Sequence, residues 1–201
     1  MTGGKMLALV ALMAACIVAV YLVVGRSTTR PPIAAGAGSA GVVKGQHYED
    51  AGLGFSFDYP TQWVKADQPQ LGADATFVGP RRGNFTMNLD VRSDATATAL
   101  DVYVDRAIKK VLPQFKTNFK VLEEPPLLTV NGVQAIEVVY SYRQGQFDIT
   151  NVEVVYGLPD RKVILTFGLL SEYYDEMKPA VEQTIKSFQR LGAPARRASE
   201  T

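Results

Sequence analysis

The sequence offers few residues with which to do chemistry. One His and one Cys among 201 residues exclude an internal disulfide, a Cys-based zinc site, a Cys-x-x-Cys redox pair and a two-His metal centre. His47 has Glu49 and Asp50 close by, but a general base also needs a nucleophile in reach. No Gly-x-Ser-x-Gly or Ser-x-x-Lys pattern supplies one, and Cys16 lies inside an apolar run. His47 therefore reads as an exposed boundary residue. Asp101 and Asp105 share a helix face at i, i+4, yet Lys109 follows Asp105 at the same spacing. An ion pair on a solvated face explains them better than a metal does. Glu123 and Glu124 fall in an expected strand, where neighbours point to opposite faces and cannot serve one ligand. No cofactor or metal is expected.

Arg81 and Arg82, with Phe85 just beyond Gly83, form the candidate partner-contact surface, a loop tip with two cations and an aromatic ring. Two arginines are a small footprint for a polyanion. The whole chain balances 21 Lys/Arg against 20 Asp/Glu, so nucleic acid is not an expected partner. Gly36-Ala37-Gly38-Ser39-Ala40-Gly41 matches Gly-x-Gly-x-x-Gly in form. A dinucleotide site needs a strand before that motif and a helix after it; here an apolar run precedes it and no helical periodicity follows. Trp63, the only Trp, is expected to cover one end of a core. Asn84-Phe85-Thr86 fits a glycosylation sequon but falls in an expected strand.

The chain that must position these residues has two unlike parts. Residues 1–5 are a short head, and residues 6–24 are 19 consecutive residues without a charge, Pro or Gly. As a helix they would span about 28 Å, close to the hydrocarbon thickness of a bilayer. Without them the hydrophobic share falls from 47% to about 41%, so the average composition blends an apolar segment with a moderately polar domain. The run is too long for the core of a cleaved signal peptide. An uncleaved transmembrane anchor is the leading reading. Lipidation at Cys16 is the alternative, because Met13-Ala14-Ala15-Cys16 resembles a lipobox. Residues 25–46, rich in Gly, Ala, Ser, Thr and Pro and free of aromatic and acidic residues, read as a flexible linker. A short head before a folded domain favours a domain on the extracytoplasmic side.

Eighteen of the aromatic residues fall between Tyr48 and Phe188, which sets the folded domain at 47–191; the tail 192–201 has the composition of a disordered segment. Phe55, Phe57 and Tyr59 alternate with polar residues and stop at Pro60, a half-buried strand. Residues 75–79 and 84–92 read as strands around Pro80-Arg81-Arg82-Gly83. From Thr98 the period becomes helical, with Leu100, Val104, Ile108 and Val111 on one face. Thr98 and Asp101 resemble a capping box there, and Pro113 is the expected stop. Residues 119–124 read as a strand. Asn131-Gly132 is the strongest hairpin turn, and it opens an antiparallel meander of strands at about 133–142, 147–156 and 162–170. A last helix, about 172–191, buries Tyr174, Val181, Ile185 and Phe188 and stops at Gly192. Pro179 would fit only in the first turn, which moves the regular helix to begin near Asp175. The fold class is α+β: a mainly antiparallel sheet of six or seven strands with helices on both faces, an α/β/α sandwich, preceded by one N-terminal transmembrane helix.

The ordered set Gly54-Phe55-Ser56-Phe57-Asp58-Tyr59-Pro60 with Trp63, the strand 84–91, the helix ending near Leu112, Leu128-Thr129-Val130-Asn131-Gly132, Glu137-Val138-Val139-Tyr140, Val163-Ile164-Leu165-Thr166-Phe167 and Ser187-Phe188 resembles the PsbP-like superfamily. That group includes photosystem II extrinsic proteins and bacterial envelope proteins of the DcrB and LpqN type. The resemblance covers about residues 53–190 and implies the same sandwich, used as a binding or assembly module rather than as an enzyme. The single histidine precedes the matched region, so metal-binding histidines of plant members have no counterpart. The leading expectation is a non-catalytic accessory on the cell membrane, held by its anchor, with a protein partner for the domain. A thylakoid-lumen accessory of photosystem II is one alternative. A small-ligand carrier or enzyme using a cleft between sheet and helix is the other.

Overall fold

The computed structural model describes residues 46–192, and its largest element is an eight-stranded sheet in which every pairing is antiparallel. The strands in chain order are β1 (Gln46–Asp50), β2 (Phe55–Tyr59), β3 (Val64–Lys65), β4 (Ala75–Arg82), β5 (Phe85–Asp94), β6 (Thr117–Val121), β7 (Leu127–Val130), β8 (Val133–Gln144), β9 (Phe147–Gly157), β10 (Lys162–Leu170) and β11 (Gln189–Arg190). The main sheet runs β3-β4-β5-β10-β9-β8-β6, and β7 also pairs with β8; a second sheet is β1-β2-β11. The expected meander is present as β8, β9 and β10. Its middle members, β9 and β10, are covered on both faces and are buried along nearly their whole length.

The main sheet buries its apolar face under the small sheet and the helix α3 (Tyr174–Ser187). Val163, Leu165, Phe167 and Leu169 of β10 are each 0% exposed. Phe77, Leu89, Phe167, Val152 and Val139 form one register row across five strands. Phe77 meets Tyr48 and Phe57 of the small sheet at ring distances of 5.3 and 5.7 Å. Full burial of each such ring is worth about 2–3 kcal/mol. Phe188 leaves α3 in extended conformation and stacks on Tyr156 at 3.7 Å and on Phe55 at 5.7 Å. The helix thus stops at Ser187, short of Gly192, because the chain turns to add β11 to the small sheet. Pro179 sits inside α3, beyond its first turn, where the missing N–H removes a helical hydrogen bond.

Over the opposite face lies a three-part helical segment: α1 (Leu100–Arg106), a π-helical turn (Ala107–Val111) and α2 (Leu112–Phe115). Helices therefore cover both faces. Pro113 does not end this segment. The wider π turn upstream leaves it in the opening turn of α2, where its missing N–H costs no helical bond. The capping box also does not form: Ala99 is the N-cap, and the Thr98 hydroxyl is engaged with that of Thr96 at 2.9 Å. The β4–β5 hairpin runs on through Pro80, because a register shift between Val78 and Arg81 places that proline at a bulge. Among the described residues no helix is long and apolar enough to cross a membrane; residues 6–24, the expected anchor, lie outside the described residues, as do Cys16 and the tail beyond Gly192.

Candidate functional site

The sheet face beneath α1, the π turn and α2 is polar at its centre. Asn88, Gly168, Asn151 and Tyr140 are register neighbours across β5, β10, β9 and β8. Thr76, Asp90, Thr166 and Glu153 form the next row across β4, β5, β10 and β9. The helical segment lays Tyr103, Leu112 and Lys116 over these rows, enclosing a cavity of about 80 Å³. Gly168 forms its floor: a Cβ there would lie 2.5 Å from Asn88 Oδ1. Only glycine leaves the Asn88 carboxamide where it is.

Hydrogen bonds tie the two rows together. Thr76 Oγ1 and Asn88 Nδ2 each donate to the Asp90 carboxylate at 2.7 Å. Asn151 Nδ2 donates to Tyr140 Oη at 3.0 Å, and that hydroxyl donates to Glu153 Oε2 at 3.3 Å. Lys116 Nζ lies 3.7 Å from the centre of the Tyr142 ring, a cation–π contact. Burial dominates the acid–base behaviour. It pushes Asp90 up to about 6 against the pull of its two donors. It raises Glu153, with Arg92 and Lys116 drawing that group back. It lowers Lys116 to about 8, partly offset by Glu153, and lowers Arg92 as well. Tyr140 is raised well above the ordinary phenol value, first by burial and then by the Glu153 charge, so it is a donor rather than a nucleophile near neutral pH. The Gln70 Oε1 and Asn151 Oδ1 oxygens are buried without a hydrogen-bond partner, and both residues line the cavity. Each such orphan costs about 1–3 kcal/mol.

The residues singled out in the sequence lie elsewhere, with one exception. Arg81 Nε donates to the Gly83 carbonyl at 2.9 Å. Arg82 lies 3.5 Å from Glu176 and stacks on the Tyr173 ring at 5.1 Å. Phe85 does not join them on the surface: it is 2% exposed, its ring is 5.5 Å from that of Phe147, and it forms part of the cavity wall. His47 is exposed and bonded to Asp58 at 2.8 Å. Asp105 pairs with Lys109 at 2.5 Å on the helix surface. Trp63 is 1% exposed, seated so closely on Gly79 that a Cβ there would collide with its ring. Glu123 and Glu124 border a second hollow, of about 370 Å³, between β7 and α3; no buried orphan atom lines it. Among the described residues no three His, Cys, Asp or Glu gather as a metal site.

Sequence reasoning offered a cleft between sheet and helix but missed its residues, because Asn88, Asp90 and Arg92 alternate with Met87, Leu89 and Val91, which reads as a strand with one wet face. Nothing local says that a helix lies over that face. Gly168, alone in the middle of an apolar strand, is the one signal of a close approach.

No protein-family model and no curated protein matches the chain. Solved structures do. The cyanobacterial PsbP protein, CyanoP, of Synechocystis aligns with a TM-score of 0.57 at 17% identity, over 78% of this chain and 98% of its own. LpqN of Mycobacterium tuberculosis, described as involved in cell envelope biogenesis, aligns with a TM-score of 0.58 at 12% identity, over 69% and 83%. A Pseudomonas aeruginosa protein of unknown function aligns with a TM-score of 0.51 at 16% identity, over 70% and 92%. At such identities the likeness is one of fold, and the described domain of this chain has the PsbP-like fold.

Proposed function

We propose that the chain is a non-catalytic accessory tethered at the extracytoplasmic face of a membrane, and that its domain binds a protein partner. The observation that carries this reading is the PsbP-like fold, shared with a protein described as involved in cell envelope biogenesis, on a chain that also bears the 19-residue apolar run. As a flexible coil the 21 residues between run and domain would reach about 25 Å root-mean-square, which lets a tethered domain search for a neighbour at the membrane surface. A photosystem accessory is a narrower version of the same reading, and a source organism without photosynthesis removes it. Crosslinking in the native membrane, followed by gentle extraction, tests the proposal. It expects the same partner chain in repeated captures; recovery of this chain alone overturns it. A ligand-carrying domain is the second reading, favoured by the cavity and its orphan oxygens.

A further inference from the structure

A helix-covered sheet face is most cheaply filled with apolar side chains. Here the sheet face holds Asp90, Arg92, Asp94 and Glu153 around a glycine floor, and the segment above adds Lys116, so this polarity needs a reason. Two cations, Arg92 and Lys116, face three carboxylates, Asp90, Asp94 and Glu153, of which Asp94 is hydrogen-bonded to Tyr103, so the cavity lies within one charge of balance. An anion would meet an excess of carboxylates, and a cation would have to displace Arg92 and Lys116 from the acids they already face. The unmet demand is of another kind. Asn151 is 5% exposed and its Oδ1 has no donor; Gln70 is only partly buried, but its Oε1 atom is itself buried and lacks a donor too. Both oxygens need O–H or N–H groups. The planar ends of Asn, Asp, Glu and Arg bind adjacent hydroxyls well, because a hydroxyl both donates and accepts. Tyr103, Tyr142 and Phe85 add ring surface for C–H faces. The cavity, of about 80 Å³, opens partly to solvent, so one edge of a six-membered ring enters it while the rest of the ring stays at its mouth.

We propose that this cavity binds one neutral polyhydroxylated ring, either a free monosaccharide or one sugar unit of a larger glycan, whose hydroxyls donate to Asn151 Oδ1 and Gln70 Oε1. The inference rests on the cavity and not on the tether. Loss of sugar binding with partner capture intact would remove this proposal alone, and the reverse result would remove the accessory reading alone.

The test is a titration of the full-length, isotope-labelled chain, held in a zwitterionic detergent without a sugar headgroup. The probes are glucose, N-acetylglucosamine and myo-inositol, with inorganic phosphate and glycine as ionic controls. At least one ring should give saturable shifts of the Asn151 and Gln70 side-chain amide signals, and the ionic controls should give none. Asn151→Leu should weaken that binding at least about tenfold. Gly168→Ala, which pushes a methyl into the floor while leaving Asn151 in place, should do the same and keeps the test decisive if the first variant fails to fold. Glycosides of the ring that binds separate the sources: retained affinity when the anomeric oxygen is substituted assigns a glycan, and lost affinity assigns the free sugar. Saturation by phosphate or glycine instead, or a folded spectrum unmoved by all three rings, overturns the proposal.

Discussion

Asp90 accepts two hydrogen bonds at 2.7 Å, yet its carboxyl is pushed up to about 6, because burial outweighs both donors. The folded protein therefore holds this proton more tightly than the unfolded chain does. Its stabilising share is complete below the unfolded value of 3.8 and is lost as pH rises through about 6. The loss is about 2–3 kcal/mol. Asp90→Asn removes the buried charge and sacrifices one hydrogen bond. Urea unfolding at a series of pH values should show the variant about 1–2 kcal/mol more stable at neutral pH, with a flatter profile between about 4 and 6. Parallel profiles for the two proteins would contradict this account. Lys116 works in the opposite sense: its folded proton is held less tightly, so stability is lost as pH falls from 10.5 through about 8. None of this was legible from residue types. The chemistry visible in the sequence, at His47, Asp101, Asp105 and Arg81, lies on exposed positions. The buried polar groups sit in strands whose alternation looks ordinary.

Among the elements, the β7–β8 turn does more than reverse the chain. Asn131 and Gly132 take φ values of 48° and 81°, the left-handed pair that an Asn-Gly hairpin turn requires. The Asn131 carboxamide also donates to the Lys186 and Phe188 carbonyls at 3.1 and 2.9 Å, closing the end of α3 where backbone acceptors lack helical partners. The two roles can be separated. Asn131→Asp keeps the tolerance for the left-handed region but has no N–H to offer, so it should cost about 1–3 kcal/mol in unfolding free energy. Asn131→Ala should cost a further ~1 kcal/mol, because alanine resists that backbone region. Equal stability of wild type and Asn131→Asp would show that the contact to α3 contributes nothing. The turn and the long strands β8, β9 and β10 were legible because their pattern is local. The short strands β1, β3 and β11 were not: β3 and β11 are two residues long, β11 exists only through pairing with the distant β2, and β1, although it pairs with its neighbour β2, has no apolar alternation of its own. Pro113 misled for a related reason, since the helical path continues only by widening its preceding turn.

At the scale of the whole molecule the near-neutral charge is a sum of unlike parts. Residues 48–191 hold 15 Lys/Arg against 19 Asp/Glu, net −4, while the first 47 residues carry four Lys/Arg and no acid. An anionic membrane surface would repel the domain and attract the leader, each by about 1 kcal/mol per charge near the surface. Electrostatic attraction of four cations is screened away by salt, whereas a bilayer-length apolar segment is not. The tethering proposal therefore makes a prediction that charge alone does not. After washing with high salt and then with alkaline carbonate, the full-length chain should remain with the membrane fraction. Deletion of residues 6–24, with Lys5, Arg26, Arg30 and Lys44 retained, should release it to the supernatant. Release of the full-length chain by salt would reduce the tether to a charge contact. Cys16→Ser separates the two forms of anchorage. Fatty-acid labelling reads the difference: an uncleaved helix takes up no label in either protein, whereas a lipid-modified chain carries label that the variant loses. Protease added to right-side-out vesicles completes the assignment. An anchor with the domain outside leaves residues 25–46 open to cleavage, and full protection would reverse the orientation.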